Sequence, residues 1–338
     1  EHATLDKQRE TDFVFTFVGD ICTFLSVSAV ILVFGNSVWC RKLPSIALWS
    51  YLHFLQTLQF LPLLAVGIPR NLALVLNRFA VFNFRFLSLS IDHSGDSDEE
   101  KERIGSYPST SSLTTTLFFE NCREIVFLSI FFILLFLVLS CLSKRPKLKQ
   151  RKCLRFLTRE FRKCGLPRLC LLIFLPLALY SALQVSDLEV SGSIETLSLA
   201  VGFGVFLGCM IFPGLIGVVL CRQRRSNFTP RRSLSIFFRF FTRKWFNPTM
   251  GQLMFYPAIL VKDVVFVNSL IFLQTLPRVQ LVVIILVFSL SLMHGIFQKP
   301  SFQPRIRNYL LVLDGFQLAL VLSFLSLFFS PLTADSPP

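Results

Sequence analysis

The chain has 338 residues, of which 53% are hydrophobic and 16% charged, with a mean hydropathy of +0.62 and a net charge of +14. A soluble domain of this length cannot bury so much apolar surface, so composition speaks against a soluble fold. The basic residues fall in short segments between apolar runs rather than on one exposed stripe, which also speaks against nucleic acid as a partner.

The apolar runs are continuous and near twenty residues long, as spanning helices require. Barrel strands would alternate apolar and polar residues over about ten positions. The reading is an all-α, polytopic transmembrane bundle of about eight spans, with basic amphipathic helices at the interface. The chain begins at Glu1 without a Met, and residues 1–12 are read as an extracellular stub continuous with a larger upstream region. A transmembrane domain over 13–332 and a short tail over 333–338 follow.

The first span, 13–39, carries Asp20 about two turns from its outer end. The second, 46–68, carries His53, Gln56 and Gln59 at three-residue spacing beside Ser50. Such a stripe should face the bundle interior or a partner, either for helix-to-helix hydrogen bonding or to line a polar path. Arg70, Arg78 and Arg85 then alternate with Leu and Phe over 70–89. This fits a helix in the outer interface with snorkelling arginines, or a re-entrant segment.

Residues 90–118 join an acidic run to a Ser/Thr-rich stretch and should form a mobile outer loop. His93 and Asp98 there have an H-x4-D spacing resembling an acyltransferase signature, but a mobile loop offers no preorganised site. Cys122 is placed outside as well. The third span, 125–142, has no charge and should face lipid.

Residues 144–168 hold eleven Lys and Arg. Within them Arg155, Arg159, Arg162 and Lys163 flank an apolar helical face. A second basic segment, 222–247, places Arg239, Arg243 and Lys244 beside an apolar face of the same kind. Both segments should lie against anionic headgroups, where each basic residue gains roughly 1 kcal/mol. They serve either as topology determinants or as a regulatory lipid site.

Between them lie the fourth span, 169–185, and the fifth, 196–220. In the fifth, Gly204 and Gly208 form a small-xxx-small pair for close helix packing, and Pro213 should kink the helix. The sixth span, 253–276, contains Lys262 and Asp263. The seventh, 279–297, contains His294, and the eighth, 309–332, contains Asp314. Ionisable groups inside spans are costly and therefore informative. Adjacent residues on a helix point about 100° apart, so Lys262 and Asp263 need separate partners. Lys262 is expected to pair with Asp314.

With the N-terminus outside, 24 of the 34 Lys and Arg fall in cytoplasmic connections, as the positive-inside rule requires. Both termini are then extracellular or lumenal, with a plasma or ciliary membrane as the expected location. The sequon Asn227-Phe228-Thr229 becomes cytoplasmic. Cys40, Cys141, Cys164, Cys170 and Cys221 lie near inner span ends, as palmitoylation sites or buried thiols. No P-loop, G-x-S-x-G, H-E-x-x-H or zinc-spaced Cys pairs occur. The four histidines are scattered, so neither an enzyme, a metal nor a cofactor is expected.

The run Leu48-Trp49-Ser50, Leu55-Gln56-Thr57-Leu58-Gln59, Pro62-Leu63-Leu64 and Pro69 resembles the membrane region of large cysteine-rich protist surface proteins. Tyr256-Pro257, Lys262, Gln280, Lys299-Pro300, Phe302 and Asn308 resemble the last helices of such domains. These domains are similar to transient-receptor-potential-like and polycystin-like channels. The resemblance implies a large upstream ectodomain, a homo-oligomer or wider surface assembly, and a cation-conducting or sensory role. A non-conducting anchor is the alternative, and a lipid or small-solute transporter the second. Channels of that type carry a pore helix outside between their last two spans. Here 298–308 is short, basic and expected inside.

Overall fold

The computed structural model describes residues 14–28, 45–64, 72, 75–76, 118–144, 166–187, 192–226, 254–298 and 304–328. Every regular element among them is helical. In chain order these are α1 (Val14–Ser28), α2 (Ser45–Phe60), α3 (Phe118–Lys144), α4 (Leu166–Ser186), α5 (Ser193–Ser226), α6 (Phe255–Phe272), α7 (Pro277–Gln298) and α8 (Pro304–Phe328).

The contacts bring the end of α1 to the start of α2 and make the helices from α3 to α8 antiparallel in succession. Tyr51, early in α2, donates to Ser26 at the end of α1 (3.2 Å). The start of α3 meets the end of α4 and the start of α5, since the Phe118 amide donates to Gln184 Oε1 (2.8 Å) and the Phe119 amide to Ser198 Oγ (3.4 Å). Gln280 at the start of α7 donates to the carbonyls of Ser269 and Leu270 at the end of α6. At the other end of the bundle, Phe255 stacks on His294 and Gly295 lies against Leu311. Helices α4, α6 and α8 are therefore parallel to one another. The connections between α3 and α4, α5 and α6, and α7 and α8 all join ends on one side. The strongly basic stretches 144–168 and 222–247 overlap the first two of these connections, and Lys299 lies in the third.

Helix α6 occupies the centre. Ten of its eighteen residues are buried, Lys262 and Asp263 among them. It packs on α4, α5 and α7, while α4 also contacts α2 and α3, and α8 contacts α2 and α7. Leu175, Leu179 and Leu183 of α4 meet Leu260, Phe266 and Leu270 of α6 in the core. The Phe266 and Phe288 rings lie 5.5 Å apart.

Helices α5, α6, α7 and α8 contain apolar stretches long enough to cross a membrane: Glu195–Arg222, Phe255–Phe272, Pro277–Phe297 and Arg307–Leu325. Val14–Ser28 and Cys170–Ser186 are shorter apolar helices. The radial distribution of polarity agrees with a lipid setting. Phe24, Phe131, Val282, Phe297 and Val312 are each at least 59% exposed, whereas Lys262, Asp263, Gln56, Gln184 and Gln280 are buried. Water would penalise that arrangement and hydrocarbon favours it. The protein is an integral membrane protein.

Several boundaries differ from those expected. The α-helix of the second span stops at Phe60 and tightens into a 3₁₀ turn, Leu61–Leu63, because Pro62 offers no amide for an α-helical bond. The third helix begins at Phe118, seven residues before the apolar run, because Gln184 and Ser198 satisfy its first amides. Cys122 is consequently a buried helical residue, not a loop residue. The fifth helix has 34 residues and is about 51 Å long, well beyond the ~30 Å hydrocarbon thickness. Glu195 lies in its first turn and Arg222, Arg224 and Arg225 close it, each sign suiting the helix dipole. The sixth span ends at Phe272, with Leu273 capping back to Ser269.

The stub at 1–12, most of the loop at 90–118, the amphipathic stretches within 144–168 and 222–247, and the tail lie outside the described residues. So do Arg155, Arg159, Arg162, Lys163, Arg239, Arg243 and Lys244. Of the 70–89 segment, Leu72, Val75 and Leu76 are described. All three are helical, and Leu76 is buried in the core.

Candidate functional site: a charged cavity between four helices

A cavity of about 110 Å³ opens between α2, α4, α6 and α8. Each helix contributes from its first to middle turns: Ser50 and His53 from α2, Leu171 and Leu172 from α4, Phe255 to Asp263 from α6, and Leu310 to Gln317 from α8. The lining residues therefore share one depth, towards the basic end of the bundle.

Two polar contacts between side chains sit in its wall. Asp263 Oδ1 lies 3.1 Å from His53 Nε2, with side-chain exposures of 3% and 18%. Lys262 Nζ lies 3.5 Å from Asp314 Oδ1, at 6% and 27%. The 100° between successive helical residues sends Lys262 and Asp263 to different neighbours. Lys262 also lies 5.5 Å from the centre of the Phe288 ring, within cation–π range.

These pairings follow from burial. Desolvating one charge costs several kcal/mol, and a partner in contact offsets much of that. The central position of α6 buries both side chains, so their polar partners come from the neighbouring helices α2 and α8.

One polar group in the wall lacks a partner. Gln317, one turn beyond Asp314 on α8, is 3% exposed, and its Oε1 meets no donor among the described residues. Phe54, Phe255 and Tyr256 furnish the aromatic part of the lining. Phe54 is held edge-on against Phe316, with centroids 5.8 Å apart.

Of the residues singled out in sequence, the structure brings together His53, Lys262, Asp263 and Asp314. Gln56 and Gln59 are buried further along α2, outside the residues that line the cavity. Asp20 sits exposed on α1, also away from it. His294 stacks on Phe255 at the edge of the same region. Gly204 and Gly208 face outward, and a Cβ at either would meet no described atom within 4 Å. The close packing assigned to them does not occur within the described chain. On α5 the tightest described glycine is Gly202, where a Cβ would approach Gln184 Cγ to 3.1 Å and Phe118 Cβ to 3.4 Å. Pro213 is buried inside an uninterrupted α5. Among the described residues no cluster of His, Cys, Asp and Glu is arranged to hold a metal.

Sequence reasoning missed Gln317 and the His53–Asp263 contact. The signal for Gln317 was its i+3 spacing from Asp314, which puts both on one helical face. No match to the chain is found among protein-family models, curated proteins or solved structures.

Proposed function

We propose that the chain is a sensor-like membrane domain of eight crossing helices that admits a small polar solute from the cytoplasmic side into the cavity between α2, α4, α6 and α8. The observation that carries this reading is the concentration of ionisable side chains in the wall of one intramembrane cavity. Charges inside a membrane bundle are expensive, and they mark solute or ion paths more often than static contacts.

The antiparallel order supports eight crossings, since it brings the basic connections to one side. The positive-inside rule makes that side cytoplasmic and leaves both termini outside. The segments carrying Arg155, Arg159, Arg162, Lys163, Arg239, Arg243 and Lys244 would then lie against anionic lipid near the mouth of the cavity. The similarity to transient-receptor-potential-like and polycystin-like domains belongs to the same reading. Residues 299–303 between α7 and α8 are too few for a pore helix, so the working site proposed is the cavity.

An anchor for a large ectodomain would need no accessible cavity, which gives the test. A Ser50→Cys variant, reconstituted in vesicles, is treated with a membrane-impermeant cationic methanethiosulfonate from each side and compared with the unsubstituted chain. The sensor reading predicts additional labelling from the basic side only. No additional labelling from either side would leave the anchor as the better account.

A further inference from the structure

We infer that the cavity binds a small organic ammonium ion, held between the Asp314 carboxylate and Gln317 Oε1 in competition with the Lys262 ammonium. The inference rests on the cavity reading above and specifies its ligand.

Sign comes first. The lining holds two carboxyl side chains, Asp263 and Asp314, against one lysine, Lys262, and a wall rich in acceptors calls for a ligand rich in donors. A monocation brings those donors, whereas an anion would bring only further acceptors.

Position follows from α8. Asp314 and Gln317 are three residues apart, with Cβ atoms roughly 5–6 Å from each other on one face. Gln317 Oε1 is a buried acceptor with no donor among the described residues, and such a group costs free energy until a donor reaches it. Asp314 is the more exposed member of its pair, and its contact with Lys262 is long at 3.5 Å. Its carboxylate has acceptor capacity to spare. An ammonium with several N–H donors can bridge both oxygens. Lys262 can then retain Asp314 or shift towards the Phe288 ring.

The remaining lining decides between an organic ion and a bare metal ion. A hard cation such as Ca²⁺ takes six to eight oxygens. Around this position stand Leu171, Leu172, Ile259, Leu310 and Leu313, which offer carbon, not oxygen. Phe54, Phe255 and Tyr256 suit the alkyl part and face of an ammonium. The cavity volume of about 110 Å³ approaches that of an apolar cavity known to take benzene, about 150 Å³. A chain of four or five carbons is the right scale.

The test uses the full chain in lipid nanodiscs, with n-butylammonium as probe and 1-butanol and K⁺ as controls, read by calorimetric titration. Butylammonium should bind, with butanol and K⁺ at least tenfold weaker. Gln317→Leu, which fills the same space without the acceptor, should weaken butylammonium at least tenfold and leave butanol unchanged. Asp314→Asn should weaken it further; if that variant does not fold, Gln317→Leu alone decides. Equal binding of butanol and butylammonium, preference for K⁺, or an unchanged affinity in Gln317→Leu would each overturn the inference. If Ser50→Cys labels from the basic side while butylammonium does not bind, the cavity reading stands and the ligand class is wrong.

Discussion

Lys262 and Asp314 do not contribute equally to the bundle, because they are not equally buried. Lys262 is 6% exposed and Asp314 27%, so removing the carboxylate strands a buried ammonium, while removing the ammonium leaves a carboxylate with more access to polar surroundings. Asp314→Leu is expected to cost about 3–5 kcal/mol, and Lys262→Met less. The double variant should recover most of the larger loss, since apolar residues of similar volume can replace a buried pair at little cost. Denaturant titration in mixed micelles measures all three. Gln317→Leu has the opposite sign. It removes a buried acceptor that has no donor among the described residues and should stabilise the chain by about 1 kcal/mol, even as it weakens ammonium binding. A destabilised Gln317→Leu would mean that the carbonyl has a partner after all.

At the scale of the element, Gln184, Ser198 and Gln280 finish helices that are not their own. Gln184 of α4 accepts from the first amide of α3 and from Ser198 of α5, and Gln280 of α7 caps the last carbonyls of α6. Gln184→Ala should cost about 1–3 kcal/mol and accelerate hydrogen exchange at the Phe118 and Phe119 amides. Unchanged exchange there would contradict the capping role. Beside this junction, Gly202→Leu should cost about 1–3 kcal/mol by overpacking, whereas Gly208→Leu, with open space around it, should cost nothing measurable in micelles. These junctions explain which element boundaries were legible in the sequence. The end of α2 was missed although Pro62 marks it, because the apolar run continues to residue 68. The start of α3 was hidden, because Glu120, Asn121, Arg123 and Glu124 read as loop by hydropathy, and the groups that cap it are more than sixty residues away. Small-xxx-small spacing at Gly204 and Gly208 indicated that a close approach is possible there, but not what approaches.

Across the whole molecule, polarity is arranged from the inside out. Lys262, Asp263 and several glutamines lie between helices, and many Phe, Leu and Val side chains lie around them. The class of fold was legible, since continuous apolar runs allow little else. The pairing of Lys262 with a residue on the eighth span could also be argued, because a charge in such a run requires a partner. The partnership of Asp263 with His53 could not, since chain order does not reveal that α2 and α6 face each other. The antiparallel order makes a direct prediction about sidedness. Single cysteines would be placed in the 227–253 segment and, separately, in the Leu273–Leu276 turn between α6 and α7, then probed in intact cells with an impermeant thiol reagent. The turn should label from outside, and the basic segment only after the membrane is opened. Labelling of both from the same side would contradict a chain that crosses the bilayer at α6 with its cationic face inward.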